Sequence, residues 1–116
     1  MFEVLIINGE EYKLRLTTRT SIQLEKALGR NPLDILMEIE DGKMPKMTDM
    51  VLMLHAMLQS LHHGYSQDKA MDLMDAYIAD GHGCLELLPV FVKVFENSGY
   101  IPKKGEEQTS EDEEKN

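Results

Sequence analysis

The residues with the most chemical potential in this 116-residue chain are four histidines, one cysteine and a strip of aspartates. His62 and His63 are neighbours, so on a helix their side chains diverge by about 100° and do not readily share an ion. His55 and His62 stand two turns apart, roughly 10 Å along a helix axis. Neither pairing has the i, i+4 spacing of a helical zinc site. His82-Gly83-Cys84 offers a ligand or two, but there is no second cysteine to help close a tetrahedral site. A Cys84–His nucleophilic pair needs a low-pKa thiol, a base and an oxyanion site. A place near a helix start meets only the first need, so Cys84 is expected to be small, buried and inert. Asp68, Asp72 and Asp75 fit the solvated face of a helix. Gly81-His82-Gly83 lies between helices with no lysine after it, unlike a phosphate loop. These residues lead to an expectation of no catalytic residue, no metal site and no cofactor.

Composition narrows the remaining classes. The length suits one domain with one modest core. The chain is 42% hydrophobic and 28% charged, ordinary for a globular protein. No apolar run approaches the roughly 18 residues of a membrane span. The start, with an acid at Glu3 and no basic leader, is unlike a signal peptide. A lone cysteine rules out an internal disulfide framework and suits a reducing compartment. The formal net charge of −9 repels phosphate backbones, so nucleic acid is not an expected partner, and without a spanning run neither is a membrane. Nine methionines and no tryptophan are the unusual feature. Methionine fills irregular cores, and it also recurs on surfaces that adapt to a partner.

The elements that would position these residues follow from periodicity. Residues 2–17 read as a β-hairpin turning at Asn8-Gly9, a dipeptide that readily supplies two positive φ angles. Its first strand is apolar on both faces; in the second, Tyr12, Leu14 and Leu16 point inward and Lys13 and Arg15 outward. Thr18, Thr20 or Ser21 then caps a short helix with Leu24, Ala27 and Leu28 on one stripe. Ile22 falls opposite that stripe. Gly29 stops this helix, and Asn31-Pro32 starts a second that runs to Glu40, with Leu33, Leu36 and Met37 together. Thr48 caps a third, whose broad apolar face holds Met50, Val51, Met53, Leu54, Met57, Leu58 and Leu61. Ser66 caps a fourth, with Ala70, Met71, Leu73, Met74, Tyr77 and Ile78 inward. The fifth runs from about Cys84 to Asn97 and is apolar almost all round, so it is either central or shared with another molecule. Pro89 is tolerable there only in the first turn. The expected fold is α+β and mainly helical: an N-terminal hairpin, about five helices, and an acidic C-terminal tail. Residues 1–102 form the globular domain. Residues 103–116 have nothing apolar to bury and are expected to be disordered.

Surplus apolar surface therefore carries whatever function is legible. Leu87, Val90, Phe91 and Val94 on the last helix, with Met53 and Met57, are the expected interaction residues, and Ile22 is an outlying candidate. Val90→Asp with Val94→Asp is expected to weaken association and leave helicity intact.

Two runs, Asn8 to Arg19 and Leu24 to Leu33, resemble the tail assembly chaperones of long-tailed phages and prophages of Gram-positive bacteria. Leu54 to Gln59, His62-His63-Gly64 and Val94 to Pro102 are similar to the same family in the same order, so the resemblance spans roughly residues 2–102. It implies a non-enzymatic protein of the bacterial host cytoplasm, absent from the mature virion. Such a protein binds the tape-measure protein, keeps it soluble and assists tail-tube polymerisation around it. The resemblance also implies homo-oligomers, and contact with tail-tube protein indirectly or through a frameshifted longer form. The competing reading is a small acidic regulatory adaptor that binds an unrelated host or phage protein.

Overall fold

The computed structural model describes residues 1–102. It opens with an antiparallel hairpin of β1 (Glu3–Ile7) and β2 (Glu10–Leu14), paired from Glu3↔Leu14 to Ile7↔Glu10. Asn8 and Gly9 have φ of 53° and 81°, the two positive values that a tight turn matched to strand twist requires. The period of two then sorts the side chains: Leu5, Ile7, Leu14 and Leu16 are buried, and Phe2, Val4 and Ile6 are exposed. A hairpin alone is marginal in water. This one is held by laying its inner face against helices.

Five helices follow: α1 (Thr18–Leu28), α2 (Pro32–Glu40), α3 (Met47–Gln59), α4 (Gln67–Ala79) and α5 (Leu88–Ser98). A 3-10 turn, Cys84–Leu87, leads into α5. The architecture is the α+β, mainly helical one that the periodicity predicts. The acidic tail, 103–116, lies outside the described residues.

Several helix ends are written in the sequence. The Asn31 side chain accepts from the Leu33 N–H at 2.9 Å with Pro32 beside it, and Ser66 accepts from the Lys69 N–H at 3.1 Å. Gly29 closes α1 at φ 73°, a conformation that costs any residue with a Cβ. Pro89 falls in the first turn of α5.

Two caps differ from expectation. Thr17, not Thr18, Thr20 or Ser21, caps α1: its hydroxyl accepts from the Thr20 N–H at 3.2 Å while Thr20 Oγ1 accepts from the Thr17 N–H at 2.9 Å. A threonine satisfies both the end of a strand and the start of a helix, and here the helix takes it. Thr48 lies inside α3, which begins at Met47 after Lys46 without a side-chain cap. Helix α3 forms in spite of that because it is the centre of the fold. It touches α1, α4, α5 and β2, and it buries Met50, Val51, Met53, Leu54, Ala56, Met57 and Leu58.

Three apolar stripes hold in part and differ at an edge: Leu24, Leu28, Leu33 and Leu36 meet the core as expected, and Ala27, Met37, Met71 and Ile78 do not. On α1, Thr20, Ser21 and Leu24 are buried and Ala27 is exposed; Thr20 Oγ1 pairs with Ser60 Oγ of the turn after α3 at 2.7 Å. On α2, Pro32 and Ile35 are buried and Met37 is exposed. On α4, Ala70, Leu73, Met74 and Tyr77 are buried, and Met71 and Ile78 are exposed. Helix α5 presents Phe91, Val94 and Phe95 to the core and is not central; it packs along β1, where Asn97 Nδ2 donates to Glu3 Oε2 at 2.9 Å. Tyr100, after α5, packs edge-on against Phe95 and donates to the Glu25 carboxylate, tying the chain back to α1. No helix among the described residues is long and apolar enough to cross a membrane.

Candidate functional site

The chemically suggestive side chains are dispersed. His55 Nε2 donates to the Tyr65 carbonyl at 2.7 Å, which fastens the turn after α3 to the helix. His62 is half-buried against the edge of Tyr65, its Nε2 buried and without a partner. His63 is exposed. His82 stacks on Tyr77 with ring centroids 4.4 Å apart, and its Nδ1 lies 3.1 Å from Glu86 Oε1. Glu86 also accepts from the Gly83 N–H at 2.8 Å, and these bonds hold its carboxyl below the usual carboxylate range. Cys84 is half-buried, not enclosed, and Asp68, Asp72 and Asp75 are exposed. Among the described residues, no three histidine, cysteine or acidic side chains come together as metal ligands would. The hydrogen bonds of His55, His82 and Glu86 each fasten a turn, and the buried His62 Nε2 has no partner among the described residues.

The residues expected to meet a partner fall into two groups. Leu87, Phe91, Met53 and Met57 are fully buried, and Val94 is 1% exposed. They form one core with the hairpin, so the folded chain does not offer them to another molecule. The reason is packing. The apolar excess on α5 is divided between α3 and the inner face of the hairpin, whose approach cannot be inferred from the helix alone. Val90 is half-buried at the edge of that core, and Ile22 is 48% exposed on α1. With Val94 inside, Val94→Asp tests stability, not association.

Ile22 lines a shallow groove along α1 with Thr18, Arg19, Gln23 and Lys26, and a more apolar groove lies between α3 and α4. Met47, Thr48, Val51 and Leu52 line it from α3, and Gln67, Met71, Met74, Asp75 and Ile78 from α4. Its volume is about 500 Å³. Each wall is a helical repeat: Met47 with Val51 and Thr48 with Leu52 at i, i+4, and Met71 with Met74 and Ile78 at i, i+3 and i+7. Met47, Met71 and Ile78 are 48%, 46% and 42% exposed, while Val51 and Met74 form a buried floor. Asp75 is the one charged residue in the lining.

Sequence reading placed Met71 and Ile78 on the inner face of α4 and gave Met47 no role. One signal was available. The apolar set on α4 covers Ala70, Met71, Leu73, Met74, Tyr77 and Ile78, wider than one neighbouring helix can cover. Which edge stays uncovered depends on how α3 and α4 cross, and that is tertiary information.

Chemically, such a groove is built to bury apolar side chains. Flexible thioethers on both walls let it adjust to different apolar shapes. Its form suits an amphipathic helix laid along it with one face down.

Comparison with known proteins gives a family and no function. The chain belongs to DUF6096, a family of unknown function, whose model matches residues 3–116. No curated protein and no solved structure matches the chain.

Proposed function

We propose that this protein is a non-enzymatic assembly chaperone of a long-tailed phage or prophage. It holds an amphipathic helical segment of the tape-measure protein in the α3–α4 groove until tail-tube subunits polymerise around it. Two things support this reading. The ordered sequence resemblance over residues 2–102 supplies the identity of the partner. The open methionine-walled groove supplies a way to hold it, and is the observation that carries the mechanism.

The mechanism is masking. A tape-measure protein is a long helix with an apolar seam, and alone in water its seams associate with one another. A groove that covers a few turns lowers the exposed apolar area per copy. Because each contact is small, it is readily released when tube subunits compete. On this reading the protein acts in the host cytoplasm, is left out of the finished virion, and meets tail-tube protein indirectly or through a longer frameshifted product.

The test is co-expression with the tape-measure protein encoded by the same phage. The reading expects the tape-measure protein to move from the insoluble to the soluble fraction and to co-purify with the chaperone. A tape-measure protein equally soluble with and without its partner, and no co-purification, would overturn it. Genomic position is a second check: a very long coiled-coil reading frame is expected just downstream.

A further inference from the structure

The outer edge of β1 is the least defended part of the fold. In a hairpin closed by a two-residue turn, the pair flanking the turn exchanges both main-chain hydrogen bonds, and bonded pairs alternate with non-bonded ones. Ile7↔Glu10, Leu5↔Tyr12 and Glu3↔Leu14 are then the bonded pairs, and Val4↔Lys13 and Ile6↔Glu11 the others. The N–H and C=O groups of Val4 and Ile6 therefore point away from β2. Among the described residues, no loop, helix or side chain hydrogen-bonds to them. Phe2, Val4 and Ile6, which share one face, are also 42%, 41% and 58% exposed.

The other edge of the hairpin is protected. Glu11 and Lys13 are exposed and charged there, and the Arg15 N–H just beyond β2 is taken by the Met57 carbonyl at 3.0 Å. Natural sheets guard free edges with charge, proline, bulges or a covering segment. β2 has such guards; among the described residues the exposed row of β1 carries no charge of its own and is met only at its Phe2 end, where the Lys13 ammonium of β2 lies 4.9 Å from the ring centroid. The one charge on β1, Glu3, turns to the inner face, where Asn97 holds it.

We propose that β1 pairs antiparallel with β1 of a second copy about a two-fold axis at Val4, giving a four-stranded sheet in the order β2-β1-β1-β2. The strand is complementary to itself in this register. Val4 meets Val4, and Phe2 of each copy meets Ile6 of the other, so the exposed apolar row continues across the axis and the outward N–H and C=O groups find partners. A two-fold contact requires such self-complementarity. A register centred on Leu5 instead sets Phe2 against Asn8 and breaks the row. In a chain of net charge −9, this uncharged row is also where two copies repel each other least. One strand edge covers less than the ~800 Å² per partner of a standard interface, so the dimer is weak and concentration-dependent. This pairing is independent of what the α3–α4 groove holds.

The register has a sharp test. Bonded antiparallel residues have Cα atoms about 5.5 Å apart, within the span a disulfide accepts. In a Cys84→Ser background, mild oxidation of Val4→Cys is expected to give a disulfide-linked dimer. Ile6→Cys, similarly exposed, is expected not to link to itself, because the two Ile6 positions are four residues out of register, roughly 13 Å along the strands. A mixture of Phe2→Cys and Ile6→Cys is expected to cross-link. Sedimentation is expected to show a monomer–dimer equilibrium that Val4→Lys shifts at least tenfold toward monomer, with unchanged helicity. The proposal fails if wild type is monomeric at all concentrations, if Val4→Lys associates like wild type, or if Ile6→Cys links to itself as well as Val4→Cys does.

Discussion

Replacing Met71 and Ile78 together by alanine removes most of the upper α4 wall of the groove and leaves its floor. Both side chains are a little under half exposed, at 46% and 42%. Full burial of a methionine or isoleucine side chain is worth ~1.5–3 kcal/mol, so a partner that covers the remaining half gains about 1 kcal/mol from each. The double variant should lose about 2 kcal/mol of binding free energy, a roughly 30-fold rise in Kd. Alanine is the strongest helix former, so α4 should remain intact and the loss be confined to the site. The assay is fluorescence anisotropy of a labelled tape-measure segment titrated with wild type, the double variant, and Met37→Ala with Met44→Ala as a control. Met37 and Met44 are 62% and 69% exposed and do not line the groove, so the control should bind like wild type. Unchanged affinity for the Met71/Ile78 variant, or weakened binding by the control alone, would refute the reasoning.

Other expectations concern the fold that builds the groove. Val94→Asp puts a carboxylate into the core between α5 and the hairpin and should cost at least ~3 kcal/mol in urea unfolding, whereas Val90→Asp, at the core's edge, should cost much less. Thr17→Ala removes the reciprocal cap of α1 and should cost about 1 kcal/mol, while Thr18→Ala should stay within ~0.5 kcal/mol by the same measurement. All four tyrosines are held above the usual phenol value of 10.0, Tyr100 most strongly, through burial and its hydrogen bond to Glu25. The folded state then keeps its phenol protons longer than the unfolded state. Stability from this source is complete below pH 10 and is lost as pH rises through the folded values. Tyrosinate absorbance should show ionisation delayed past 10 in the folded protein, with Tyr100→Phe removing the most delayed step.

Local chemistry was legible from sequence wherever a residue type has one dominant use. Asn8-Gly9, Gly29, Asn31-Pro32 and Ser66 each have one, and the turn, the stop and the two starts lie there. Thr17 and Thr48 were ambiguous because threonine serves strands, caps and helix interiors alike. The interaction residues were harder. Periodicity shows that Phe91 and Val94 are apolar, and equally that Met71 and Ile78 are. It does not show that the hairpin's inner face covers α5 while one flank of α4 stays open. Exposure is a property of how elements cross, and no single helix encodes it. The first strand was different: its two apolar faces showed in the sequence, and among the described residues only one is covered.

The most direct test follows the methionines themselves. Carbon-13 methyl labelling of methionine gives a signal for each of the nine, and a tape-measure segment can be added stepwise. The α3–α4 groove predicts that Met47, Met71 and Met74 shift first and furthermore saturate together. Met53 and Met57, deep in the core, should stay near their free positions. Shifts concentrated at Met1, Met37 or Met44, with Met47 and Met71 unmoved, would contradict the account.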